Sequence, residues 1–215
     1  MKKADITLFY RRLADRTPHP ETELKSVNHY TLLVAVVLSA QATDAGVNLA
    51  TRDLFAKVRT PEQMLALGEE GLKRHIKTIG LFNMKAKNVI ALSRALVENH
   101  GGRVPADRDA LQALPGVGRK TANVVMNVAF SAETFPVDTH VFRIANRTGL
   151  APGKTVEKVE AILDRQTPQP YRRTAHHLLI LHGRYVCKAR RPECWRCVVR
   201  DLCRYKPKTP PPEPV

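Results

Sequence analysis

Two short segments of the sequence combine residues that can hold a phosphate with residues that can form a covalent bond. The first, Leu-Pro-Gly-Val-Gly-Arg-Lys, places Gly116 and Gly118 just before Lys120. Glycine permits a turn with positive φ and close approach of a ligand, so both amides can point at a phosphate at the start of the following helix. The second, Val-Asp-Thr-His, supplies a carboxylate at Asp138. We therefore expect an amine beside a captured phosphate, together with an acid.

Lys120 can attack carbon only as the neutral amine. An unperturbed lysine has a pKa of ~10.4, so roughly one side chain in a few thousand is neutral at pH 7. A nucleophilic role therefore requires a lowered pKa, and a helix start, the neighbouring Arg119 and exclusion of water can each lower it. An isolated lysine is more often a solvated or phosphate-binding surface residue. The glycine turn before Lys120 and the acid after it favour catalysis.

The four cysteines lie close together near the carboxyl end, in the pattern Cys-x6-Cys-x2-Cys-x5-Cys. Four thiolates within one short segment can bind a tetrahedral zinc ion or an iron–sulfur cluster. A zinc ribbon generally has two close Cys-x2-Cys pairs, whereas this segment has one. The spacing favours a cluster, and zinc and disulfides stay open as alternatives. The ligands would be Cys187, Cys194, Cys197 and Cys203.

Composition points to an acidic polymer as the partner. The 215 residues include 35 Lys and Arg against 20 Asp and Glu, a net charge of +15, and 43% are hydrophobic. Such a chain can bury a core, and its charge favours binding to phosphates by counterion release, although acidic lipid would also attract it. The apolar run at residues 30–40 is shorter than the roughly 20 residues that span a bilayer. No cleavable leader follows the first residues, so we expect an intracellular protein with no membrane partner.

The hydrophobic period is helical along nearly the whole chain, which predicts an all-α fold. Thr60, Pro61 and Gln63 have the spacing of a capping box at the start of one helix. Further helices are predicted at residues 83–99, from 107 or 108 to 114, 119–130, after 138, near 155 and at 171–185. The pair 107–114 and 119–130, joined by the glycine turn, predicts a helix-hairpin-helix.

Three motifs together resemble one known family. They are the runs at residues 114–125 and 137–143 and the cysteine pattern, and the similarity extends from about residue 23 to 203. The chain resembles the bacterial endonuclease III family of DNA glycosylases. This resemblance implies a helix-hairpin-helix glycosylase fold: a six-helix barrel domain at 23–132 with the motif at about 107–130, a cluster-bearing helical domain from 1–22 and 133–204, and a disordered proline-rich tail at 205–215.

The resemblance also implies an activity. Family members of this type are bifunctional DNA glycosylases and AP lyases of base excision repair. The lysine matching Lys120 attacks C1′ of a damaged nucleotide, forms a Schiff base and cleaves the strand 3′ to the abasic site by β-elimination. Asp138 matches the catalytic carboxylate, although an aspartate before a helix is also a common N-cap. The implied cofactor is a [4Fe-4S] cluster on the four cysteines.

The implied partner is double-stranded DNA that contains damaged pyrimidines, above all oxidised ones, or abasic sites. The base must be rotated out of the stack, and Gln41 and Leu81 match residues that enter the vacated space. Without the resemblance, Leu81 would be a helix-capping hydrophobe and Gln41 an ordinary helix-end polar residue. The hairpin contacts would be Gly116, Val117, Gly118 and Arg119, and His140 could orient a phosphate or stay exposed.

Two alternatives stay open, one within the same fold and one from a different class of protein. A mismatch glycosylase of the same fold would usually lack lysine at position 120, and a non-catalytic helix-hairpin-helix module would bind DNA without forming an imine. We expect a monomer in the bacterial cytoplasm, associated with the nucleoid.

Overall fold

The structure, a computed structural model, describes residues 1–213; Pro214 and Val215 lie outside the described residues. Every regular element in that range is helical, which confirms the predicted all-α class. No helix in the same range is both long and apolar enough to cross a membrane. The α-helices are α1 (Lys3–Arg16), α2 (His29–Leu38), α3 (Asp44–Lys57), α4 (Pro61–Ile76), α5 (Phe82–His100), α6 (Arg108–Gln112), α7 (Arg119–Phe130), α8 (Thr139–Thr148), α9 (Val156–Gln166) and α10 (Ala175–Tyr185).

Side-chain caps fix where many of these helices begin. The Thr60 side chain accepts a hydrogen bond from the Gln63 N–H, and Pro61 is the first residue of α4, as predicted. The capping box is only half formed, because Gln63 Oε1 accepts from the N–H of Arg59 instead of that of Thr60. Capping by one side chain recurs at α6, α8 and α9, where the cap residues are Asp107, Asp138 and Thr155.

The chain divides into two compact units, each with its own hydrophobic core. The first unit is continuous and comprises Thr22–Ala132, which includes α2 to α7. Every residue of α2 except His29 is buried, and α2 packs against α3, α5 and α7. A helix that is apolar on all sides requires such a central position. The core of this unit therefore forms around α2.

The second unit brings the two ends of the chain together, Met1–Glu21 with Glu133–Val215. It contains α1, α8, α9 and α10, and α10 packs against both α1 and α8. A buried hydrogen bond of 3.1 Å between the hydroxyls of Tyr10 and Thr167 joins the two segments. The helices that carry Asp138 and lead into the cysteines therefore share one core.

The helices differ from the predictions at two boundaries and at one internal kink. α6 ends at Gln112 instead of Leu114. α10 begins at Ala175 and not at residue 171, because a separate 3₁₀ turn, Gln169–Tyr171, precedes it. α4 is kinked at Gly68, whose φ of 73° and ψ of 170° are not helical. Hydrophobic periodicity does not predict such a kink, since the pattern continues on both sides of the glycine.

Candidate functional site

The turn between α6 and α7 presents the two glycines under different constraints. Gly116 has a φ of 77°, and a Cβ built there would lie 2.9 Å from the Cβ of Asn88 on α5, so both backbone and packing exclude a side chain. Gly118 is the N-cap of α7 with a φ of −87°, which any residue can adopt. A Cβ at Gly118 would meet no protein atom within 4 Å. Glycine at position 118 therefore leaves open space in front of the first turn of α7.

Val117 differs from its neighbours in the hairpin. Its side chain is only 5% exposed, and its N–H donates a hydrogen bond of 3.1 Å to the carbonyl of Leu114. Both its side chain and its amide are therefore engaged within the protein. Val117 therefore packs the hairpin onto the core, and its predicted contact with DNA stays a prediction.

Arg119 and Lys120 are the first two residues of α7, and both are exposed. The N–H groups in the first turn of a helix have no carbonyl partner within that helix, and they give its start a partial positive charge. An anion is stabilised at this end of α7. The hairpin thus combines open space at Gly118, an anion-attracting helix start and an accessible lysine.

Two exposed residues outside the hairpin have left-handed backbone conformations. Gln41 lies between α2 and α3 with a φ of 54°, and Leu81 precedes α5 with a φ of 61° and a side chain 54% exposed. Residues with a Cβ rarely adopt such angles, and strained residues of this kind cluster at functional sites. Among the described residues, only Ser131 and Arg191 share this conformation without being glycine. The Leu81 side chain does not pack into the core, as a simple capping hydrophobe would.

Asp138 and His140 lie at the start of α8. Asp138 is the N-cap, and its Oδ1 accepts a hydrogen bond of 2.8 Å from the N–H of Val141. His140 is half-buried, and its Nδ1 lies 3.2 Å from Nη2 of Arg143. A guanidinium can only donate, so Nδ1 accepts and the proton of the neutral ring is on Nε2. His140 is thus held in place by Arg143 instead of being a freely exposed side chain.

Arg143 and Arg147 link α8 to the cysteine segment, a role that was not predicted from the sequence. Arg143 Nε donates to the carbonyl of Cys187 at 3.0 Å. Arg147 donates to the carbonyls of the two residues that follow, at 2.7 and 2.9 Å, and its Nη1 lies 3.9 Å from Cys187 Sγ. The available sequence signal was the i, i+4 spacing of two arginines shortly after Asp138. Support for the cysteines therefore comes from α8 as well as from their own segment.

All four cysteines are free thiols, and they line the same cavity. Free thiols rule out the disulfide alternative for this structure. Within residues 1–213, no three His, Cys, Asp or Glu side chains converge closely enough to hold one metal ion. Four cysteine sulfurs around one cavity are a donor set that fits an iron–sulfur cluster, which is held by four thiolates.

Burial controls the protonation of the groups around this cavity. It raises the pKa of the Cys197 thiol to about 11, and it raises that of Cys187 although Arg147 opposes the change. In the absence of metal these cysteines hold their protons, which iron must displace. Burial lowers the pKa of His182, on α10, to about 4, so that its ring is neutral.

The basic residues between the cysteines have different surroundings. Lys188 Nζ lies 2.6 Å from Glu193 Oε1, and Arg196 pairs with the same carboxylate. Ion pairing with Lys188 and Arg196 lowers the pKa of Glu193. Both cations are thus ion-paired within the segment, although the single carboxylate of Glu193 neutralises only one of the two positive charges. The exposed basic residues of the segment that remain for a polyanion are Arg190, Arg191 and Arg200.

The first residues of the predicted tail contact the cysteine segment. The guanidinium of Arg147 lies over the Tyr205 ring, 4.9 Å from its centroid, and Lys208 Nζ donates to the carbonyl of Cys203 at 2.7 Å. Tyr205 and Lys208 both line the cysteine cavity. This part of the tail therefore forms one wall of the candidate metal centre.

Comparison with known proteins identifies the family. Residues 34–169 match the model of the HhH-GPD superfamily of base excision DNA repair proteins, and residues 187–203 match the iron–sulfur binding domain of endonuclease III. Endonuclease III of Escherichia coli (strain K12) is 55% identical over 208 residues, covering 97% of this chain and 99% of the relative. That of Haemophilus influenzae is 56% identical with the same coverage. This chain belongs to the endonuclease III family.

Solved structures agree with the assignment to the endonuclease III family. A trapped endonuclease III–DNA covalent intermediate, in an estranged-adenine complex, superposes with a TM-score of 0.89 at 44% identity, over 95% of this chain and 96% of that one. A thermostable thymine-DNA glycosylase superposes with a TM-score of 0.83 at 26% identity, over 94% and 96% of the two chains. The fold is that of the helix-hairpin-helix glycosylases.

As a member of the endonuclease III family, the chain is a bifunctional DNA glycosylase and AP lyase of base excision repair that binds DNA and carries a [4Fe-4S] cluster. The predicted family, fold, activity and cofactor are confirmed. The roles of individual residues and the class of lesion stay predictions. Lys120 and Asp138 belong to different units of the chain.

Proposed function

We propose that Lys120 is the nucleophile and Asp138 the catalytic carboxylate of this enzyme, and that its substrates are oxidised pyrimidines and abasic sites in double-stranded DNA. The observation that carries the proposal is the exposed position of Lys120 in the first turn of α7, directly after the glycine turn. A phosphate attracted to that helix start brings the sugar next to the amine. The trapped covalent form of the 44% identical endonuclease III supports nucleophilic chemistry.

The neutral amine of Lys120 begins the reaction. Nζ attacks C1′, the bond between C1′ and the base breaks, and the base leaves with the bonding electron pair and takes up a proton. Nζ loses a proton and the sugar ring opens, which leaves a Schiff base between Nζ and C1′. Loss of a proton from C2′ then expels the 3′ phosphate by β-elimination. Water finally hydrolyses the Schiff base and regenerates the lysine.

Asp138 supplies negative charge at a fixed position. Its Oδ1 is held by the Val141 N–H at 2.8 Å, so the direction of the carboxylate is set by α8. The other oxygen is then available to stabilise positive charge that develops on the sugar and to accept or relay protons. The N-cap and the catalytic role are compatible, because capping orients the group that catalysis uses.

The DNA contacts follow from exposure and backbone geometry. Rotating a nucleotide out of the stack costs a few kcal/mol, and side chains that fill the gap offset part of that cost. Gln41 and Leu81 are exposed and already held in strained conformations, which suits insertion. Gly118 and Arg119 would hold the backbone phosphate, and the Nε2 proton of His140 can be donated to a phosphate or a carboxylate.

We assign Cys187, Cys194, Cys197 and Cys203 as the cluster ligands. With four cysteine ligands a [4Fe-4S] cluster has no open position for water or substrate, so it acts as a structural cross-link within its segment. The protein is proposed to act as a monomer in the cytoplasm. Association with the nucleoid is proposed because its charge of +15 attracts DNA.

Borohydride trapping tests the role of Lys120. The enzyme is mixed with a duplex that contains one abasic site, and sodium borohydride is added to reduce any imine to a stable amine. We expect a covalent adduct with the unsubstituted enzyme and none with Lys120→Gln. Lys57→Gln, which alters an exposed lysine at the end of α3, is the matched control and should trap normally. An adduct of undiminished yield from Lys120→Gln would contradict the assignment.

A panel of duplexes tests the substrate. Each duplex carries one oxidised pyrimidine, one G·T mismatch or no lesion, and both base release and strand cleavage are measured. We expect release and cleavage together at oxidised pyrimidines. The similarity to a thymine-DNA glycosylase makes mismatch repair the second candidate, and it would appear as base release at G·T without cleavage.

A further inference from the structure

A buried histidine touches one of the proposed cluster ligands. His182 is 8% exposed, and its Nε2 lies 3.5 Å from Sγ of Cys197. The carbonyl of His182 also accepts a hydrogen bond of 2.8 Å from the N–H of Cys187. His182 is therefore hydrogen-bonded to two of the four cysteines, to Cys197 through its ring and to Cys187 through its backbone carbonyl.

The direction of the ring hydrogen bond follows from the chemistry of the acceptor. A thiolate that ligates iron carries no proton and can only accept, so Nε2 must carry the hydrogen. His182 lies in the wall of the cavity that the cysteines line. A donor aimed at a ligand sulfur withdraws electron density from the cluster and favours its more negative, reduced state.

We propose that His182 is a positioning residue for the cluster, whose Nε2–H···Sγ hydrogen bond to Cys197 raises the reduction potential of the cluster and fixes the orientation of that ligand. The inference rests on the proposed assignment of Cys197 as a ligand. It adds a residue from outside the cysteine segment that tunes the electronic properties of the group.

The other buried histidines of α10 serve as internal comparisons. His176 Nδ1 is hydrogen-bonded at 2.9 Å to the carbonyl of Pro136. His177 is 8% exposed, the same as His182, and packs against the His176 ring at a centroid distance of 5.1 Å. The ring of His182 is bonded to a sulfur, whereas Nδ1 of His176 is bonded to a backbone carbonyl. Substitution of His177 can therefore show whether the reduction potential of the cluster depends on any buried imidazole of α10 or specifically on the hydrogen bond from His182 to Cys197.

Electrochemistry of the cluster-loaded enzyme provides the test. For His182→Leu we expect a more negative midpoint potential, corresponding to about a tenfold change in the ratio of reduced to oxidised cluster, or 59 mV for one electron. His182→Gln keeps an amide N–H and should recover part of the shift. His177→Leu, matched in helix, residue type and exposure, should leave the potential unchanged. An unchanged potential in fully loaded His182→Leu, or an equal shift in His177→Leu, would overturn the proposal.

A second measurement needs no substitution at position 182. The enzyme is labelled with ¹⁵N-histidine, its cluster is brought to a paramagnetic state by one electron exchanged with an electrode, and pulsed EPR is recorded. We expect a ¹⁵N coupling that persists in His177→Leu. A loaded enzyme without this coupling would overturn the role of His182 and leave the ligand assignment intact. If Cys197→Ala loaded all four irons, the ligand assignment itself would fail.

Discussion

At the scale of single residues, the two hairpin glycines are explained by different physical constraints. Gly116 is required by its own fold, because its φ of 77° and the nearby Asn88 leave no place for a methyl group. Gly118 has an ordinary backbone and open space where a Cβ would point. A residue that the fold does not require to be glycine is best explained by what approaches it from outside, which under the proposed function is a DNA phosphate.

Alanine substitutions should separate these two constraints. Gly116→Ala should destabilise the protein by about 1–2 kcal/mol, the cost of a left-handed alanine, with an added cost from contact with Asn88. Gly118→Ala should cost less than about 1 kcal/mol in stability. It should nevertheless weaken DNA binding about tenfold or more, because the methyl group blocks a charge-assisted hydrogen bond to phosphate. Thermal unfolding and fluorescence anisotropy with a labelled duplex measure the two effects, and normal DNA affinity in Gly118→Ala would contradict the phosphate role.

At the scale of elements, α8 joins two sites that the sequence separates. Asp138 caps its start, and Arg143 and Arg147 on the same helix hold the carbonyls of the first cysteine and the residues after it. Gly183 allows α10 to approach α8 closely, since a Cβ there would lie 2.9 Å from the Cβ of His140. The position of the proposed catalytic carboxylate is thus set by the same helix that supports the cluster.

Two substitutions of Asp138 should distinguish capping from catalysis. Asparagine caps a helix as well as aspartate does, so Asp138→Asn should leave the unfolding temperature nearly unchanged. It removes the charge, however, and we expect base release to slow by about 10² or more. Asp138→Ala should lose the same activity and, in addition, about 1 kcal/mol of stability with the cap, or roughly 2–4 °C. If Asp138→Asn kept full activity in a single-turnover assay, the carboxylate would be only a cap.

At the scale of the whole molecule, two separate cores divide the functional residues. The core of Thr22–Ala132 is built around α2, and the other core is built from α1, α8, α9 and α10 together with residues of the cysteine segment such as Val199. The two sets of core residues do not overlap. Hydrophobic stabilisation is local to the atoms that are buried, so each unit should respond by itself to a change in its own core.

Removal of the cluster should therefore affect one unit more than the other. When iron is released by oxidation and chelation, we expect amide hydrogen exchange in α8 and α10 to accelerate about tenfold or more, because the cysteine segment loses its cross-link. Exchange in α2 and α5 should change little. Mass spectrometry of peptic fragments measures both regions in one sample. Equal loss of protection in α2 would mean that stability is not divided in this way.

Local sequence patterns determined much of this protein. Helical periodicity, cap residues such as Thr60 and Asp138, and the glycine turn predict the class, most helix starts and the hairpin, because each depends on residues a few positions apart. The spacing of the cysteines and the order of lysine and aspartate likewise point to the cofactor and the chemistry. These features involve residues that are near one another in the chain, so a single sequence is enough to recognise them.

Tertiary structure alone decided the rest. It buries Val117 within a motif that otherwise faces outwards, gives Gln41 and Leu81 their positive φ, and brings His182 to Cys197. It also buries Lys85, whose Nζ has no hydrogen-bond partner among the described residues and whose pKa burial lowers. Each of these outcomes depends on which distant segments pack together. A hydrophobic pattern predicts that a residue is buried, but it does not predict which residues pack against it.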